Sequence, residues 1–265
     1  MGKVINFLKG IGETIEDALF VDYSCIVCGD EIDSNSKTRL CEDCINKFPF
    51  LDTKNICAKC GAPLNSITNF CDDCKLTKFD FDEARASFEY TNDAKRLVLA
   101  IKYANAKYLA KYFAKYMYET FLNWGVVVDL IIPVPLSEKR QKTRGYNQSE
   151  LLAEEFSNLS GIEVCGEKVV RIDSGKTQQH STRKERFDNM KGVFKLNDKT
   201  SLEGKNILII DDVYTTGATV NELSKTLRKL EPDKIYVLTA GKTLFHNNKD
   251  KKKSIFSKLF LANNS

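Results

Sequence analysis

The sequence predicts an α/β protein, with a mostly parallel sheet flanked by helices and a small cysteine-rich domain in front of it. Three observations predict this architecture. Eight of the nine cysteines fall between residues 25 and 74, strand-like and helical segments alternate after residue 79, and an aliphatic run at 207–210 ends in two aspartates and a Thr/Gly-rich turn. Strands that alternate with helices in this way build parallel sheets.

The composition is that of an ordinary globular protein. The chain has 265 residues, of which 42% are hydrophobic and 29% are charged, so a wholly disordered chain or a collagen is excluded. The net charge is +4, and six lysines against one aspartate in residues 241–265 contribute +5 of it, which leaves −1 for residues 1–240. A generally basic surface that coats nucleic acid is therefore not indicated, and any such role must be local.

Residues 1–20 are predicted to form an amphipathic helix, because the apolar side chains of Val4, Leu8, Ile11 and Ile15 recur at helical spacing. Charged residues interrupt any apolar segment that a signal peptide would need here. No run of eighteen apolar residues occurs in the sequence. These observations predict a cytoplasmic protein with no transmembrane segment.

The cysteine-rich domain is predicted over residues 21–78. It contains four Cys-x-x-Cys pairs, which are Cys25/Cys28, Cys41/Cys44, Cys57/Cys60 and Cys71/Cys74. Two residues between sulfurs let one turn of chain direct both thiolates at one metal ion, and two such turns complete a tetrahedron. The eight sulfurs therefore predict a double zinc ribbon with two closed, structural zinc sites, one from the first two pairs and one from the last two.

Two other uses of these cysteines stay open. A disulfide scaffold needs an oxidising compartment, and no secretion signal is found in front of the cysteines. Four-cysteine sets also hold iron–sulfur clusters, although the regular spacing favours zinc. The ninth cysteine, Cys165, stands alone and is predicted to be a small apolar side chain.

The α/β domain is predicted over residues 79–242, with a basic flexible tail at 243–265. Strands are predicted at 84–90, 126–132, 168–171, 192–196, 205–210 and 234–240, and helices at 92–103, 107–124, 148–159 and 219–230. A loop is predicted between residue 132 and the helix at 148, and a polar stretch without regular structure leads to Met190.

The most informative segment runs from Ile207 to Thr219. Four aliphatic residues predict a strand buried on both faces, with Asp211 and Asp212 at its C-terminal end, where ligands bind in open α/β sheets. In the next turn Gly217 permits a close approach, threonine hydroxyls can donate, and the start of a helix offers free N–H groups, which together suit a monophosphate. The carboxylates suit the two hydroxyls of a ribose, or a magnesium ion on them. The segment predicts a ribose-5-phosphate site.

An aliphatic strand that ends in aspartate is also typical of a Walker B strand, which requires a Walker A partner. The candidate partners end at Thr177 and Thr243, but Val170 and Tyr236 stand where the first glycine is required. A P-loop nucleoside triphosphatase is therefore disfavoured. An ordinary strand–turn–helix with capping threonines is the simpler alternative.

Residues 207–219 resemble the phosphoribosyl pyrophosphate (PRPP) binding motif of type I phosphoribosyltransferases. The whole layout resembles the ComF family, in which cysteine knuckles precede a phosphoribosyltransferase-like domain. Supporting segments are Ala100-Ile101-Lys102-Tyr103, Ile132-Pro133-Val134-Pro135-Leu136, Arg144-Gly145-Tyr146-Asn147-Gln148, and the stretch from Gln178 to Phe194. The resemblance covers residues 20–242. It implies a type I phosphoribosyltransferase-like parallel sheet flanked by helices, behind a small double zinc-ribbon domain.

The resemblance also implies roles for individual residues. Asp211 and Asp212 would hold the ribose hydroxyls, with magnesium accompanying PRPP. The 5-phosphate would be bound by the turn that contains Tyr214, Thr215, Thr216, Gly217, Ala218 and Thr219. Pro133, Val134 and Pro135 occupy the place of the pyrophosphate loop, and residues 173–190 occupy that of the flexible loop that closes over the site.

Basic residues near the predicted pyrophosphate loop have two interpretations. Lys139, Arg140, Lys142 and Arg144 form either a cationic loop able to meet pyrophosphate or a solvated surface loop. Lys102 is likewise either a phosphate partner or a plain surface lysine.

The aromatic residues of the helices at 92–124 also have two interpretations. Tyr108, Tyr112 and Tyr116 lie four residues apart on one helical face, and Tyr103 precedes them. Such a stripe can stack on single-stranded bases. Packing against the protein's own sheet or zinc domain is the favoured interpretation.

The resemblance implies a role in natural transformation, on incoming single-stranded DNA in the cytoplasm together with a ComFA-type helicase. A ribose-5-phosphate site could also recognise a sugar–phosphate unit of DNA. No residue identifies a nucleobase acceptor, so whether the protein turns PRPP over as an enzyme stays open. Two alternatives remain: a metabolic phosphoribosyltransferase that makes a nucleotide, and a nonenzymatic zinc-containing adaptor for a helicase.

Overall fold

The computed structural model describes residues 24–33, 40–65, 67–172 and 182–244. The chain divides between Phe48 and Pro49 into two compact units. The helix predicted at 1–20, residues 173–181 of the predicted flexible loop, and the predicted tail from residue 245 onward lie outside the described residues.

The first unit contains the first two cysteine pairs. The backbone turns sharply at the first pair, where Gly29 N donates to Cys25 O at 2.9 Å and Gly29 adopts a φ of +84°. Cys41 is the N-cap of helix α1, Glu42–Lys47, whose backbone carries Cys44. Each pair therefore lies on one tight turn of chain, as metal-binding knuckles require.

The second unit contains the sheet and the other two cysteine pairs. Its strands, in chain order, are β1 Glu83–Glu89, β2 Leu130–Pro133, β3 Val169–Arg171, β4 Phe194–Leu196, β5 Asn206–Tyr214 and β6 Lys234–Lys242. Its helices are α2 Asp72–Leu76, α3 Asn92–Tyr103, α4 Leu109–Trp124, α5 Glu138–Arg144, α6 Gln148–Ser160, α7 Arg183–Met190 and α8 Ala218–Leu227. Short 3-10 turns occur at Gly166–Lys168 and Arg228–Leu230.

The main sheet has four parallel strands in the order β1-β6-β5-β2, and β3 pairs with β4 in a separate antiparallel ribbon. The central strands β5 and β6 are buried along most of their length, which explains their continuous aliphatic sequences. The predicted α/β class is confirmed. None of the helices in the described ranges is long and apolar enough to cross a membrane.

The outer edge of β1 is covered by residues 49–61. Ala84 N donates to Lys59 O at 2.7 Å, and Glu89 N donates to Pro49 O at 2.8 Å. Between them Leu51 N donates to Ser87 O at 3.0 Å. Gly61 packs so closely that a Cβ atom there would lie 2.7 Å from the Ala84 carbonyl oxygen.

Two segments predicted to lack regular structure contain helices. In the predicted loop after β2, residues 138–144 form α5, with an acidic residue in its first turn, basic residues in its last turn and Gly145 at its C-cap with a φ of +79°. These are helix-favouring signals, since they match the helix dipole and a left-handed cap. In the predicted polar stretch, Thr182 and Glu185 form a reciprocal capping box that starts α7.

The strand boundaries also differ from the predicted ones. The strand predicted at 126–132 begins only at Leu130, and Val127 is exposed. The strand predicted at 205–210 continues to Tyr214, so Asp211 and Asp212 belong to the strand itself. The apolar run ends at the aspartates, but the backbone pairing with β6 does not.

The predicted aromatic stripe is only partly packed against the protein. Tyr116 is buried and its ring centroid lies 4.9 Å from that of Phe50, so this residue packs against its own protein. Tyr103 and Tyr108 are 72% and 63% exposed.

Candidate functional site

Two adjacent carboxylates form the centre of the candidate site. Asp211 and Asp212 lie near the C-terminal end of β5 and are each only 7% exposed. Asp211 Oδ1 accepts hydrogen bonds from Ser149 Oγ at 2.8 Å and from the backbone N–H of Asp212 at 2.9 Å. Asp212 Oδ2 forms an ion pair with Lys102 Nζ. Side chains from α3 and α6 therefore hold the two carboxylates in place.

The surroundings of the two carboxylates shift the pKa values of Asp211 and of its neighbour Lys102. Burial, followed by repulsion from the Asp212 carboxylate, raises the pKa of Asp211 to about 7. Burial lowers the pKa of Lys102, but attraction by Asp212 and then by Asp211 outweighs burial, and the net shift of that pKa is upward. Lys102 is therefore charged at neutral pH. Its side chain is 18% exposed, so it is not a plain surface lysine.

The start of α6 links the carboxylates to the predicted pyrophosphate loop. Asn147 caps this helix by accepting from Ser149 N at 3.0 Å, and its Nδ2 donates to Val134 O at 3.0 Å. Both Asn147 and Ser149 are buried, and the hydroxyl of Ser149 continues to Asp211. One capped helix end thus fixes the position of both the loop after β2 and the acidic pair.

The turn after β5 has the features of an anion-binding turn. Gly217 is the N-cap of α8 with a φ of +82°, and Thr216 Oγ1 accepts from Ala218 N at 3.4 Å. Within the described part of the chain, the backbone N–H groups of Thr215, Thr216 and Gly217 donate no hydrogen bond. Free N–H groups that converge at the start of a helix attract phosphate.

The buried side chain of Tyr214 packs against this turn. Its side chain is 5% exposed, and a Cβ atom on Gly217 would overlap the Tyr214 hydroxyl. Lys242 Nζ lies 3.5 Å from the centroid of the Tyr214 ring. The turn therefore requires glycine at position 217 for two reasons, the positive φ and the contact with Tyr214.

We expect Gly217→Ala to reduce the free energy of unfolding more than Gly204→Ala does. Gly204 has a φ of +71°, and a Cβ atom there would meet open space, so its replacement costs only backbone strain, about 1–2 kcal/mol. At Gly217 the overlap with Tyr214 adds roughly 1–3 kcal/mol. Urea unfolding of both variants measures the difference. Equal losses would show that the contact with Tyr214 is unimportant.

A cavity of about 320 Å³ lies beside this turn in the second unit. Its lining includes Thr215, Thr216, Lys242 and Arg183, together with Cys60, Cys71 and Cys74 of the last two cysteine pairs. Lys242 is 3% exposed. The candidate phosphate turn and the second cysteine set therefore line the same cavity.

The cysteines gather in two groups of four, Cys25, Cys28, Cys41 and Cys44 in the first unit and Cys57, Cys60, Cys71 and Cys74 in the second. The ligand atoms of each group lie within 4.8 Å of one another. The distances from Cys28 Sγ to Cys41 Sγ and from Cys60 Sγ to Cys71 Sγ are 3.6 and 3.7 Å. A tetrahedral zinc ion with Zn–S bonds of about 2.3 Å separates its sulfurs by about 3.8 Å. The residues fit two structural zinc ions.

The residues of the predicted pyrophosphate loop lie beside a second cavity, whereas most of the nearby basic residues are exposed on α5. Pro133 ends β2, and Val134 and Pro135 follow it beside a second cavity, of about 620 Å³, that Pro133 and Pro135 line. Arg144 Nη1 donates to Gln148 Oε1 at 2.8 Å and its Nη2 to Tyr103 Oη at 3.1 Å. The basic residues at 139, 140 and 142 are exposed on α5.

Sequence reasoning missed two residues of the site, Asn147 as a helix cap and Ser149 as the partner of Asp211. The asparagine at the start of a helical pattern is a local signal that could have identified the cap. No local signal identifies Ser149, because its partner lies 62 residues away in the sequence.

These features define a phosphoribosyltransferase-like domain combined with a double zinc ribbon. The family models agree: a double zinc ribbon domain matches residues 15–75, and a phosphoribosyl transferase domain matches residues 142–263. A solved structure of glutamine PRPP amidotransferase from B. subtilis overlaps 49% of this chain and 25% of its own, with a TM-score of 0.34 at 16% identity, which is too weak to add to this assignment.

Curated relatives identify the family. The chain is 31% identical to competence protein F of Haemophilus influenzae, over 82% of this chain and 96% of that protein. It is 28% identical to competence protein ComFC of Bacillus subtilis, over 71% of this chain and 78% of that protein. It is also 28% identical to DNA utilization protein YhgH of Salmonella typhi, over 65% and 78% of the two chains. The chain belongs to the ComF family of competence proteins.

Proposed function

We propose that this protein binds PRPP, or a ribose-5-phosphate unit, at Asp211–Thr219 and uses this site on single-stranded DNA in natural transformation. The observation that carries the proposal is the buried acidic pair directly in front of a turn with free N–H groups. The two features match the two ends of the ligand. Carboxylates accept from ribose hydroxyls, and the N–H groups bind the 5-phosphate.

Asp212 supplies the most specific support. Its Oδ2 is buried, and within the described residues its partner is the Lys102 ammonium, with which it forms an ion pair. A carboxylate with a single cationic partner keeps further lone pairs to which a hydroxyl can donate. We infer that a ribose hydroxyl donates a hydrogen bond to the Asp212 carboxylate. Magnesium would accompany the pyrophosphate of PRPP.

The role in DNA uptake extends the family membership to this chain. Relatives are named as competence and DNA utilization proteins. The exposed basic residues of α5 stand on the same segment as the predicted pyrophosphate loop, where an anionic strand would be attracted. In this proposal the protein works in the cytoplasm beside a ComFA-type helicase. Release of pyrophosphate from PRPP in the presence of bases would instead favour a metabolic transferase.

We expect PRPP with magnesium to stabilise the second unit, and we expect Asp211→Asn combined with Asp212→Asn to abolish this stabilisation. Ligand at one hundred times its dissociation constant adds about 2.7 kcal/mol to the free energy of unfolding. A thermal-shift titration measures the effect. The matched control is Asp233→Asn, an exposed carboxylate just before β6 at the opposite end of the sheet, which should respond like the unmodified protein. Equal shifts in all variants, or none in the unmodified protein, would refute the site.

A further inference from the structure

We propose that Tyr103 and Arg144 form a stacking platform for the base of a nucleoside 5′-monophosphate unit whose ribose is held by Asp211 and Asp212. This inference rests on the proposed function, because it adds the base to the sugar and phosphate already assigned to the site. It supplies the nucleobase contact that the sequence did not identify.

Two tethers bring the platform to the acidic pair. Tyr103 directly follows Lys102, whose ammonium pairs with Asp212. Arg144 donates to Tyr103 Oη at 3.1 Å and to Gln148 Oε1 at 2.8 Å. Gln148 directly precedes Ser149, which donates to Asp211. The platform is thus connected to one carboxylate through α3 and to the other through α6.

Tyr90 directly follows β1 and lies near the Lys102–Asp212 ion pair. Burial raises the pKa of its phenol, Lys102 lowers it, and Asp212 and Tyr103 raise it further. The Lys102–Asp212 ion pair therefore lies close enough to Tyr90 to influence the titration of its phenol. Tyr90 is connected to the end of β6, because its backbone N–H donates to Lys242 O at 2.7 Å.

Tyr103 exposes a large aromatic ring at the end of a helix whose apolar face is buried. Residues Leu97, Val98 and Ile101 of α3 are buried, whereas Tyr103 in the last turn is 72% exposed. The guanidinium carbon of Arg144 lies 4.9 Å from the centroid of the tyrosine ring. Packing does not account for a large ring in this position. Aromatic rings and arginine guanidinium planes are the two groups on which proteins stack unpaired bases.

The contacts of Arg144 also bear on its predicted role with pyrophosphate. Both of its terminal nitrogens donate to neutral partners, Gln148 and Tyr103, and hold the guanidinium against the ring. A guanidinium fixed beside an aromatic ring by two hydrogen bonds is available for stacking on a base.

Isothermal titration of the full-length protein with ribose 5-phosphate and with adenosine 5′-monophosphate (AMP) tests the platform. Base stacking on an aromatic residue is worth about 5- to 150-fold in affinity, so AMP should bind tighter than ribose 5-phosphate by about that factor. Tyr103→Ala should bring the ratio of the two affinities close to one, and Tyr103→Phe should retain most of the ratio. The matched control is Tyr108→Ala, which removes another exposed tyrosine, and it should leave the ratio unchanged.

Free deoxyadenosine 5′-monophosphate and the 3′-terminal nucleotide of a DNA strand both present a base, a 5′-phosphate group and a 3′-hydroxyl, whereas AMP also presents a 2′-hydroxyl. Deoxyadenosine 5′-monophosphate and a tetradeoxyadenylate with a free 3′-hydroxyl therefore join the titration: tighter binding of the strand than of this mononucleotide identifies DNA as the source of the base, and equal or weaker binding identifies the free nucleotide. In both cases Tyr103→Ala should lower the affinity for whichever of these ligands binds.

Failure of the platform is distinguishable from failure of the proposed function. If the unmodified protein binds neither ligand, the proposed function itself is refuted. If it binds ribose 5-phosphate and AMP equally, or if Tyr103→Ala keeps the preference for AMP, the platform is refuted while the sugar–phosphate site stands. An equal loss of both affinities in Tyr103→Ala also refutes the platform, because it would show that Tyr103 acts only by positioning Lys102.

Discussion

Replacing Cys57 and Cys60 with serine is expected to abolish cooperative unfolding of the second unit. Both cysteines are buried, and they belong to the core cluster that also contains Phe79 and Ile209 of β5. A structural zinc ion contributes about 10–16 kcal/mol in small zinc domains, which is as large as the whole stability of a typical protein. Loss of the second zinc ion therefore removes core packing and metal binding in one step.

The matched control is the same change at Cys25 and Cys28. These residues lie in the first unit, so the unfolding transition of the second unit should persist. Elemental analysis should give two zinc ions for the unmodified protein and one for the control, and circular dichroism on heating should show which variant keeps the transition. A normal transition in the Cys57/Cys60 variant, or its loss in the control, would contradict the expectation.

Lys102→Met is expected to reduce the free energy of unfolding by about 3 kcal/mol at pH 8, because it leaves the Asp211–Asp212 pair buried without its cation. Adding Asp212→Asn to this variant should restore most of the loss, since only one carboxylate then remains. Lys234→Met is the matched control. Lys234 is a mostly exposed partner of Asp82 at 3.5 Å, and its loss should cost about 0–1 kcal/mol.

The loss in Lys102→Met should depend on pH with a defined sign. The pKa of Asp211 in the folded protein, about 7, lies above its ordinary value, so stability falls as the pH rises through that pKa. Lys102 lowers this pKa, and its removal therefore raises the pKa further and steepens the fall between pH 5 and 8. Urea unfolding at both pH values measures this slope. A variant that is equally destabilised at pH 5 and pH 8 would show that Lys102 acts through packing and not through charge.

The parts of the structure that depend on local patterns were predictable from the sequence. The buried strand, the acidic pair and the left-handed glycine all lie within residues 207–219, where neighbours along the chain are neighbours in the fold. The grouping of eight cysteines follows from their spacing in the same way.

The parts that depend on which elements meet were not predictable. Lys102 reaches Asp212 from α3, and Ser149 reaches Asp211 from α6, and no local pattern indicates either partner. Lys242 shows the same limit. In the sequence it belongs to a failed Walker A candidate, whereas in the fold it lies at the end of β6 over the Tyr214 ring. Tertiary contacts of single side chains leave no periodic signal in a sequence.

We expect the segment at 49–61, which covers β1, to protect the protein from self-association. A strand at the border of a sheet presents unpaired N–H and C=O groups, which pair readily with the same edge of another molecule. Here the chain leading into the last two cysteine pairs occupies part of that border, with Lys59 O and Pro49 O as acceptors. A fragment cut at residue 79 would keep all the residues of the proposed ribose-phosphate site, but it would lose the second cysteine set and would expose this border. We therefore expect such a fragment to form aggregates by strand pairing, and a fragment that starts at Pro49 to be the shortest one that stays monodisperse.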